Sequence, residues 1–529
     1  MKYFKIKHIA LLLAVTSAPL YTACDFMDCS ETDYYSKQQI LDNMDRVKQL
    51  ATQVYSYLPH DFCNTSGAMQ DAATDDAIHV YESSAIQRFV NGTWSANYTV
   101  NDVFGTYYNA IHDANFYLEN CVGLTFDEWK YSDGFADDYK SYLNYEHEVR
   151  FLRAFYYFEL VKRYQNIPLI TKTLTQEEAN EAEPSDAVTI LNFIISECTD
   201  LANDKLPVNY NNMPGGEGNL QRSTKGMALA LKSRASLYLA SPLYSADDTQ
   251  KWKNAAQAAY DLISQAGTLG YSLDPKYSNL YGATNCPTEN LVSAYEMTDG
   301  TAFDWSNAEM AKDPYANRDP RLGMTVVYNG MAWPKTTPVE VFEGGKNGQP
   351  IKNATTTGYY LRKYVNNSVT FEPGETTTSQ QHNWILFRYA EILLNYAEAM
   401  VNAYGDPDYT GSYSLSARDA VNQVRNRGDV KMPAYPADMS KDAFLKRLKN
   451  ERRVEFAFEG QRFWDLRRWK ELDDMQNIYK VKVVKQTDGT IQYTKALHAT
   501  YNIQDKMYFY PISNTELFKN HKLVQNTGW

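Results

Sequence analysis

Cysteine and histidine are scarce in this sequence. The 529 residues include 6 cysteines and 8 histidines, with no C-x-x-C motif and no pair of neighbouring histidines. The cysteines other than Cys24 are odd in number and widely spaced, so neither a disulfide framework nor a zinc site is predicted. H-E-x-x-H, G-x-S-x-G, phosphate-loop and dinucleotide-binding motifs are missing too. The common catalytic sites, metal or otherwise, are therefore not indicated, although scattered loop carboxylates leave a calcium site open.

Basic residues are outnumbered by acidic ones. Lysine and arginine total 52 against 64 aspartates and glutamates, which gives a net charge of −12. A protein that binds nucleic acid needs a basic surface to neutralise phosphates, so no nucleic-acid partner is expected. Aromatic residues, by contrast, are plentiful, with 42 Tyr, 22 Phe and 9 Trp. Tyrosine joins a flat apolar face to a hydroxyl group, which suits half-buried helices and hydrated binding surfaces.

Long apolar runs are also missing, and the one short run lies at the N-terminus. Lys2, Lys5 and Lys7 precede the apolar segment 9–15, which is followed by small and polar residues. That segment is about half the roughly 20 residues needed to span a bilayer. The pattern therefore predicts a signal peptide over residues 1–23.

Cys24 is the predicted site of lipid attachment. Leu20-Tyr21-Thr22-Ala23-Cys24 resembles a bacterial lipobox, although the leucine lies one place further upstream than usual. Acylation of Cys24 by several chains, at about 0.8 kcal/mol per buried methylene, would give a durable membrane anchor. The acidic residues that follow suit a solvated tether, and they also resemble a surface-export signal. The alternative is an ordinary secreted protein in which Cys24 is incidental.

The rest of the chain predicts a mainly α fold. Apolar residues recur every three to four positions in paired segments, namely 144–164 with 186–204, 224–242 with 250–266, and 385–404 with 415–427, and in a further helix near 441–459. Alternating small and large residues favour close stacking of the tetratricopeptide kind. Two long irregular stretches, 60–103 and 267–384, interrupt the helices. Irregular stretches of this length are often functional, so we expect the insertions to carry the ligand site.

The segment from Glu451 to Trp469 concentrates charge and could be mistaken for a catalytic site. Glu455, Glu459 and Asp465 lie among five arginines. On a helix these carboxylates and arginines are close enough to pair, which favours ionised carboxylates of low pKa. A general acid needs the opposite, a raised pKa. The segment is therefore predicted to be structural, and no catalytic residue is assigned.

Several motifs together resemble the SusD/RagB family of nutrient-binding lipoproteins from Bacteroidota-type bacteria. The motifs follow one another along nearly the whole mature chain: Glu148–Leu160, Asn166–Leu169, Arg222–Gly226, Arg318–Arg321, Arg388–Leu394, Asn422–Arg427, Glu451–Trp469, Tyr510–Ile512 and Gln525–Trp529. The resemblance implies a single SusD-like unit over residues 24–529, with an N-terminal part of about 24–242 and a C-terminal part of about 250–529. It also implies a tetratricopeptide-containing protein that is not an enzyme and needs no cofactor.

The resemblance further implies a location and partners. Members of this family are lipid-anchored on the outer face of the outer membrane. They lie over a SusC-like TonB-dependent transporter and deliver oligosaccharides to it, or in some members peptides. We therefore expect a glycan ligand and a transporter partner. The alternatives are a peptide-binding member of the same family and, less favoured, a surface glycosidase.

Only a few positions of this sequence match the ligand-binding site of the family. Trp94-x-x-Asn97 resembles the stacking tryptophan and hydrogen-bonding asparagine of starch-binding members, and Arg88 matches more loosely. An aromatic residue from the second insertion usually completes such a site, which makes Tyr295 and Trp305 the candidates there. The alternative for Trp94 is a structural role, anchoring its loop to the helices.

Overall fold

The computed structural model describes residues 35–60, 64–211, 213, 219–274, 285–333, 337–365 and 384–529. The predicted signal peptide and Cys24 lie outside these ranges. The described chain is mainly helical, as predicted. Its α-helices are α1 Lys37–Leu41, α2 Met44–Tyr55, α3 Arg88–Asn91, α4 Phe104–Asn120, α5 Phe135–Tyr164, α6 Gln176–Asn180, α7 Ala187–Ala202, α8 Lys225–Ala240, α9 Thr249–Ile263, α10 Ala266–Leu269, α11 Glu289–Ala294, α12 Ala308–Lys312, α13 Pro320–Thr325, α14 Tyr389–Tyr404, α15 Ala417–Arg425, α16 Lys441–Glu455, α17 Gln461–Trp469 and α18 Asn514–Lys519.

The strands form small antiparallel pairs rather than a central sheet. They are β1 Ala77–His79, β2 Ile167–Pro168, β3 Pro184–Ser185, β4 Asn285–Pro287, β5 Val326–Val327, β6 Tyr360–Leu361, β7 Asn477–Lys485 and β8 Ile491–Thr500. The pairs are β1 with β4, β2 with β3, β5 with β6, and β7 with β8. The pairing of β1 with β4 joins the two irregular insertions, because Ile78 lies opposite Cys286.

The predicted helix pairs are confirmed. Helix α5 packs on α7, α8 packs on α9, and α14 packs on α15, while α9 also packs on α14 and so links successive pairs. The N-terminal ends were predicted well because capping residues mark them. Asp186, Thr224 and Ser416 each accept a hydrogen bond from a backbone N–H in the first turn of the helix that follows.

Three predicted boundaries were wrong. Helix α14 begins at Tyr389 rather than near residue 385. Helix α5 begins at Phe135, directly after the left-handed Gly134, rather than near residue 144. Helix α16 ends at Glu455 rather than near 459, and Phe458 then adopts a positive φ of 61° before α17 begins. The β7–β8 hairpin was not predicted.

The charged segment 451–469 is structural, as predicted, but most of its partners lie far away in the chain. Glu455 is fully buried and accepts hydrogen bonds from Arg321 Nη1 (2.9 Å), Arg388 Nη1 (2.6 Å) and Arg427 Nη2 (2.8 Å). Asp465 accepts from Arg452 Nε at 3.0 Å and also pairs with Arg468. These contacts tie the second insertion, α14 and the loop after α15 to α16.

Two large hydrophobic clusters form most of the core of the described residues, beside a minor one of Val430 and Met432. The larger one lies among the helix pairs and includes the C-terminal aromatic residues. The smaller one lies between the second insertion and the β7–β8 hairpin, where Leu322, Tyr359, Phe458 and Val481 pack together. The described parts of the insertions are therefore packed against the helices and the hairpin.

Candidate functional site

Trp94 is buried, so its predicted role as an exposed stacking platform is wrong. The side chain is 2% exposed. Its ring centroid lies 4.6 Å from that of Phe89, 4.8 Å from Tyr510 and 4.8 Å from Trp529. Gly92, with a φ of 82°, ends α3 and reverses the chain just before the indole. Trp94 therefore anchors the first insertion to the C-terminal segment, which is the alternative that the sequence left open.

The same insertion presents a different aromatic ring to solvent. Tyr98 is 63% exposed and closes a turn in which its N–H donates to the carbonyl of Ser95 at 3.0 Å. The guanidinium carbon of Arg88 lies 5.7 Å from the Tyr98 ring centroid, within cation–π range. The match of the Trp94-x-x-Asn97 spacing to starch-binding members did not identify Tyr98, which follows directly after Asn97.

Asn97 and the half-buried Arg88 both reach the surface, and their role in ligand binding stays a prediction. Asn97 is exposed, and its Oδ1 accepts a hydrogen bond from Asn514 Nδ2 at 2.6 Å. Within the described chain, Arg88 forms no ion pair and the Tyr98 hydroxyl forms no hydrogen bond. An exposed ring, a guanidinium group and two amides thus lie side by side. We refer to Arg88, Asn97, Tyr98 and Asn514 as the Tyr98 surface.

Tyr295 and Trp305 do not join this surface. Tyr295 is fully buried, so its predicted role as an exposed aromatic is also wrong. Trp305 is half-buried, and its Nε1 donates to Glu289 Oε1 at 2.8 Å. Both residues pack in the smaller hydrophobic cluster, whereas Trp94 belongs to the larger one. The predicted aromatic residues therefore do not share one site.

Glu289, which accepts a hydrogen bond from Trp305, has a carboxyl group with a raised pKa. Burial raises its pKa, although three hydrogen-bond donors oppose the shift. The residue is fully buried, and its carboxylate oxygens accept from Ser293, Trp305 and Tyr359. A general acid must reach its substrate. Glu289 is enclosed and fully hydrogen-bonded, so it offers no such contact.

The described ranges contain neither a metal-binding cluster nor a membrane-spanning helix. No group of three or more His, Cys, Asp or Glu residues there is placed to hold a metal ion. None of the helices in those ranges is long and apolar enough to cross a membrane. Cys121, Cys198 and Cys286 are buried free thiols.

A cavity of about 900 Å³ lies between α2, α5, α8 and the segment leading into α14. Its described lining includes the rings of Phe151, Phe155, Tyr271 and Phe387, and it has no carboxylate. Sugar hydroxyls need polar partners at several points around the ring. Ser56, His60, Gln221, Ser223 and Arg388 add polar groups to this mainly apolar lining, but none of the residues predicted for the glycan site lies in it.

Comparison with known proteins settles the family. A family model described as the SusD family matches residues 244–529, more than half of the chain. A second model, described as starch-binding and associating with the outer membrane, matches residues 25–265. The chain belongs to the SusD family. The resemblance inferred from the sequence motifs is thereby confirmed.

Relatives of this SusD-family chain share its fold at low sequence identity. SusD-like protein P2 of Formosa agariphila is 24% identical over 360 residues, which cover 61% of this chain and 64% of that protein, a little less than two thirds of its length. A solved SusD-like protein from Bacteroides fragilis is 24% identical, with a TM-score of 0.74 over 93% of this chain and 99% of that one. A SusD-like carbohydrate-binding protein from the same species is 23% identical, with a TM-score of 0.71 over 92% of this chain and 100% of that one.

Proposed function

We propose that this protein is a cell-surface lipoprotein that binds oligosaccharides or polysaccharides without transforming them. In this proposal the Tyr98 surface is the binding site, Cys24 carries the lipid anchor, and a SusC-like TonB-dependent transporter in the outer membrane receives the glycan. The observation that carries the proposal is the exposed Tyr98 ring on a SusD-family fold, beside the Arg88 guanidinium and the mutually hydrogen-bonded amides of Asn97 and Asn514.

The chemistry of the Tyr98 surface suits a sugar. A sugar ring has an apolar C–H face and a rim of hydroxyl groups. The exposed face of Tyr98 can stack against the C–H face. Arg88 supplies donors, and the amides of Asn97 and Asn514 supply both donors and acceptors for the hydroxyl groups. The Asn97–Asn514 hydrogen bond holds the first insertion against α18, so part of the site is organised before a ligand binds.

The family relationship supports the remaining parts of the proposal. One matching family model is described as starch-binding and associating with the outer membrane, and one of the similar solved structures is a carbohydrate-binding protein. The predicted signal peptide and lipobox agree with such a location. Among the buried carboxylates described above, Glu455 and Asp465 pair with arginines, and Glu289 accepts hydrogen bonds from neutral donors. None of them is placed to act on a ligand, which is consistent with a binding protein rather than an enzyme.

Replacing Tyr98 by Ala is expected to weaken glycan binding at least about tenfold, because a central stacking ring contributes more than about 1.4 kcal/mol in a typical binding site. The mature protein is run in gels that contain starch, laminarin, xylan, mannan or galactan, and retarded migration reports binding. Release of reducing ends is assayed in parallel and is expected to be undetectable.

Tyr131→Ala is the matched control, since Tyr131 is 88% exposed and lies outside the Tyr98 surface. It is expected to migrate like the wild type. Equal retention of the Tyr98→Ala variant and the wild type would remove Tyr98 from the site. Release of reducing ends by the wild type would contradict the non-catalytic assignment, and lack of retention on all five polysaccharides would contradict glycan binding.

A further inference from the structure

Three aromatic rings near the start of the described chain face solvent and have no role in the proposed glycan site. Tyr35, the first described residue, is 63% exposed. Trp129 is 42% exposed and Tyr131 is 88% exposed, and both lie in the loop between α4 and α5. All nine tryptophans lie within the described ranges, and Trp129 is the only exposed one among them.

Contacts bring these rings together. The Trp129 indole N–H donates to the carbonyl of Asp42, between α1 and α2, at 2.9 Å. The guanidinium carbon of Arg46, in the first turn of α2, lies 3.4 Å from the centre of the Tyr35 ring. The loop and the α1–α2 segment therefore adjoin, with an aromatic ring exposed on each. We refer to Tyr35, Trp129 and Tyr131 as the Trp129 surface.

The loop that carries the indole is held by buried groups. The ring of Phe126, which is 5% exposed, lies 5.0 Å from that of Tyr142. The Tyr142 hydroxyl accepts from the Leu124 N–H at 2.7 Å and donates to the Cys121 carbonyl at 2.8 Å. The Trp129 N–H donates to the Phe126 carbonyl at 2.8 Å. The fold thus fixes the indole at the surface, and a partner does not have to order the loop.

Charge does not account for a partner of this surface. Its segments, residues 35–48 and 121–140, contain five basic and seven acidic residues: Lys37, Arg46, Lys48, Lys130 and Lys140 against Asp42, Asp45, Asp127, Glu128, Asp133, Asp137 and Asp138. Such a surface does not attract anionic head groups as a basic segment does. Its rings, however, suit a neutral interface. Tryptophan and tyrosine concentrate where the lipid head groups meet water, since each joins an apolar ring to a polar edge.

The predicted anchor brings this surface close to a bilayer. Tyr35 lies eleven residues after Cys24, and eleven residues span at most about 40 Å when fully extended. A compact chain of about 500 residues has a radius of gyration of about 23 Å and is therefore about 60 Å across. The tether is shorter than the folded protein is wide. The side of the protein that carries Tyr35 therefore cannot point away from the bilayer.

We propose that the Trp129 surface lies against the lipid head groups of the membrane and sets the orientation of the protein on it. The inference rests on the lipid anchor of the proposed function and adds a second, non-covalent membrane contact. The anchor keeps the rings at a high local concentration of lipid, so a contact that is too weak to bind vesicles alone is still formed. The contact is made by rings rather than charges, so salt does not weaken it.

Quenching of tryptophan fluorescence tests this contact. The lipidated protein is reconstituted on phosphatidylcholine vesicles with or without bromine on the acyl chains, and flotation measures how much protein is bound. Bromine quenches only the indoles that reach the lipid. The wild type is expected to float and to be quenched at low and at high salt. Trp129→Phe is expected to float equally well and to lose the quenching.

Trp333→Phe is the matched control. Trp333 is half-buried in the second insertion, where it packs against the smaller hydrophobic cluster, so this variant should be quenched like the wild type. Cys24→Ala, which lacks the anchor, is expected neither to float nor to be quenched.

The outcomes separate the contact from the anchor. A wild type that floats but is not quenched, as expected of a surface that contacts another protein instead, would overturn the inference and leave the anchor in place. Equal quenching of Trp129→Phe and the wild type, or quenching that salt abolishes, would overturn it too. A wild type that does not float, or a Cys24→Ala variant that does, would overturn the anchor of the proposed function and the inference with it.

Discussion

Replacement of Glu455 by Gln is expected to lower the free energy of unfolding by about 3–5 kcal/mol, the usual cost of breaking a buried ion pair from one side. Glu455 is fully buried and accepts hydrogen bonds from Arg321, Arg388 and Arg427. The carboxamide keeps the shape of the side chain but removes its charge. The three guanidinium groups then remain in a poorly solvated region with less negative charge to balance them. Unfolding in urea, followed by circular dichroism, measures the loss.

The effect of Glu455→Gln is also expected to depend on pH. Burial raises the pKa of Glu455, but the guanidinium groups of Arg388, Arg427 and Arg321 outweigh burial and lower the pKa from 4.5 to about 2. A lowered pKa means that the ionised carboxylate stabilises the folded state fully above pH 4.5, and that this contribution is lost as the pH falls towards 2. The gap in stability between wild type and variant should therefore be largest at neutral pH and shrink below pH 4.5.

The exposed Glu181 provides the control for this prediction. It lies 4.0 Å from Lys522, and its side chain is 65% exposed. Exposed pairs of this kind contribute little to stability, so Glu181→Gln should unfold like the wild type. A Glu455→Gln variant that unfolds with the wild type, or whose deficit stays constant down to pH 3, would show that the buried network is not what stabilises this region.

Trp94→Ala is expected to destabilise the protein by about 3–5 kcal/mol, the range for removal of a large buried aromatic side chain. The indole packs edge-on against Phe89, Tyr510 and Trp529, so its loss opens a cavity between the first insertion and the C-terminus. Trp129→Ala is the matched control, because Trp129 is 42% exposed, and a much smaller loss is expected there. Trp94→Phe fills part of the cavity and should recover part of the stability.

The same variants separate the two roles considered for Trp94. If the indole only anchors the insertion, the Trp94→Phe variant should bind glycan as the wild type does. Binding is measured at a temperature at which both proteins are folded. A Trp94→Ala variant of wild-type stability that no longer binds glycan would instead show that Trp94 contacts the ligand.

The helices could be predicted from the sequence because their signals are local. The apolar period and the capping residues Asp186, Thr224 and Ser416 all lie within or next to the helix that they define. The hairpin β7–β8 was missed although its signal is also local. Lys480, Val481, Lys482 and Val483 alternate between polar and apolar, and Asp488-Gly489 is a typical hairpin turn. Its position depends on contacts with the second insertion.

The binding surface could be located only in part for a related reason. Arg88 and Asn97 were named from the sequence and reach the surface in the structure, but motif spacing alone could not show that Trp94 is buried and Tyr98 exposed. Trp94 is buried by Tyr510 and Trp529, which come from the far end of the chain. The partners of Glu455 were missed in the same way, because Arg321 and Arg388 belong to other parts of the sequence. Long-range packing therefore decides which aromatic residue of the first insertion faces solvent.

A crystal structure of the mature protein with the longest oligosaccharide that it binds tests the central claim most directly. The account predicts a sugar ring stacked on Tyr98, with hydroxyl groups hydrogen-bonded to Arg88, Asn97 or Asn514. An oligosaccharide bound in the apolar cavity beside Phe151 and Phe387, or elsewhere on the second insertion with Tyr98 free, would contradict it.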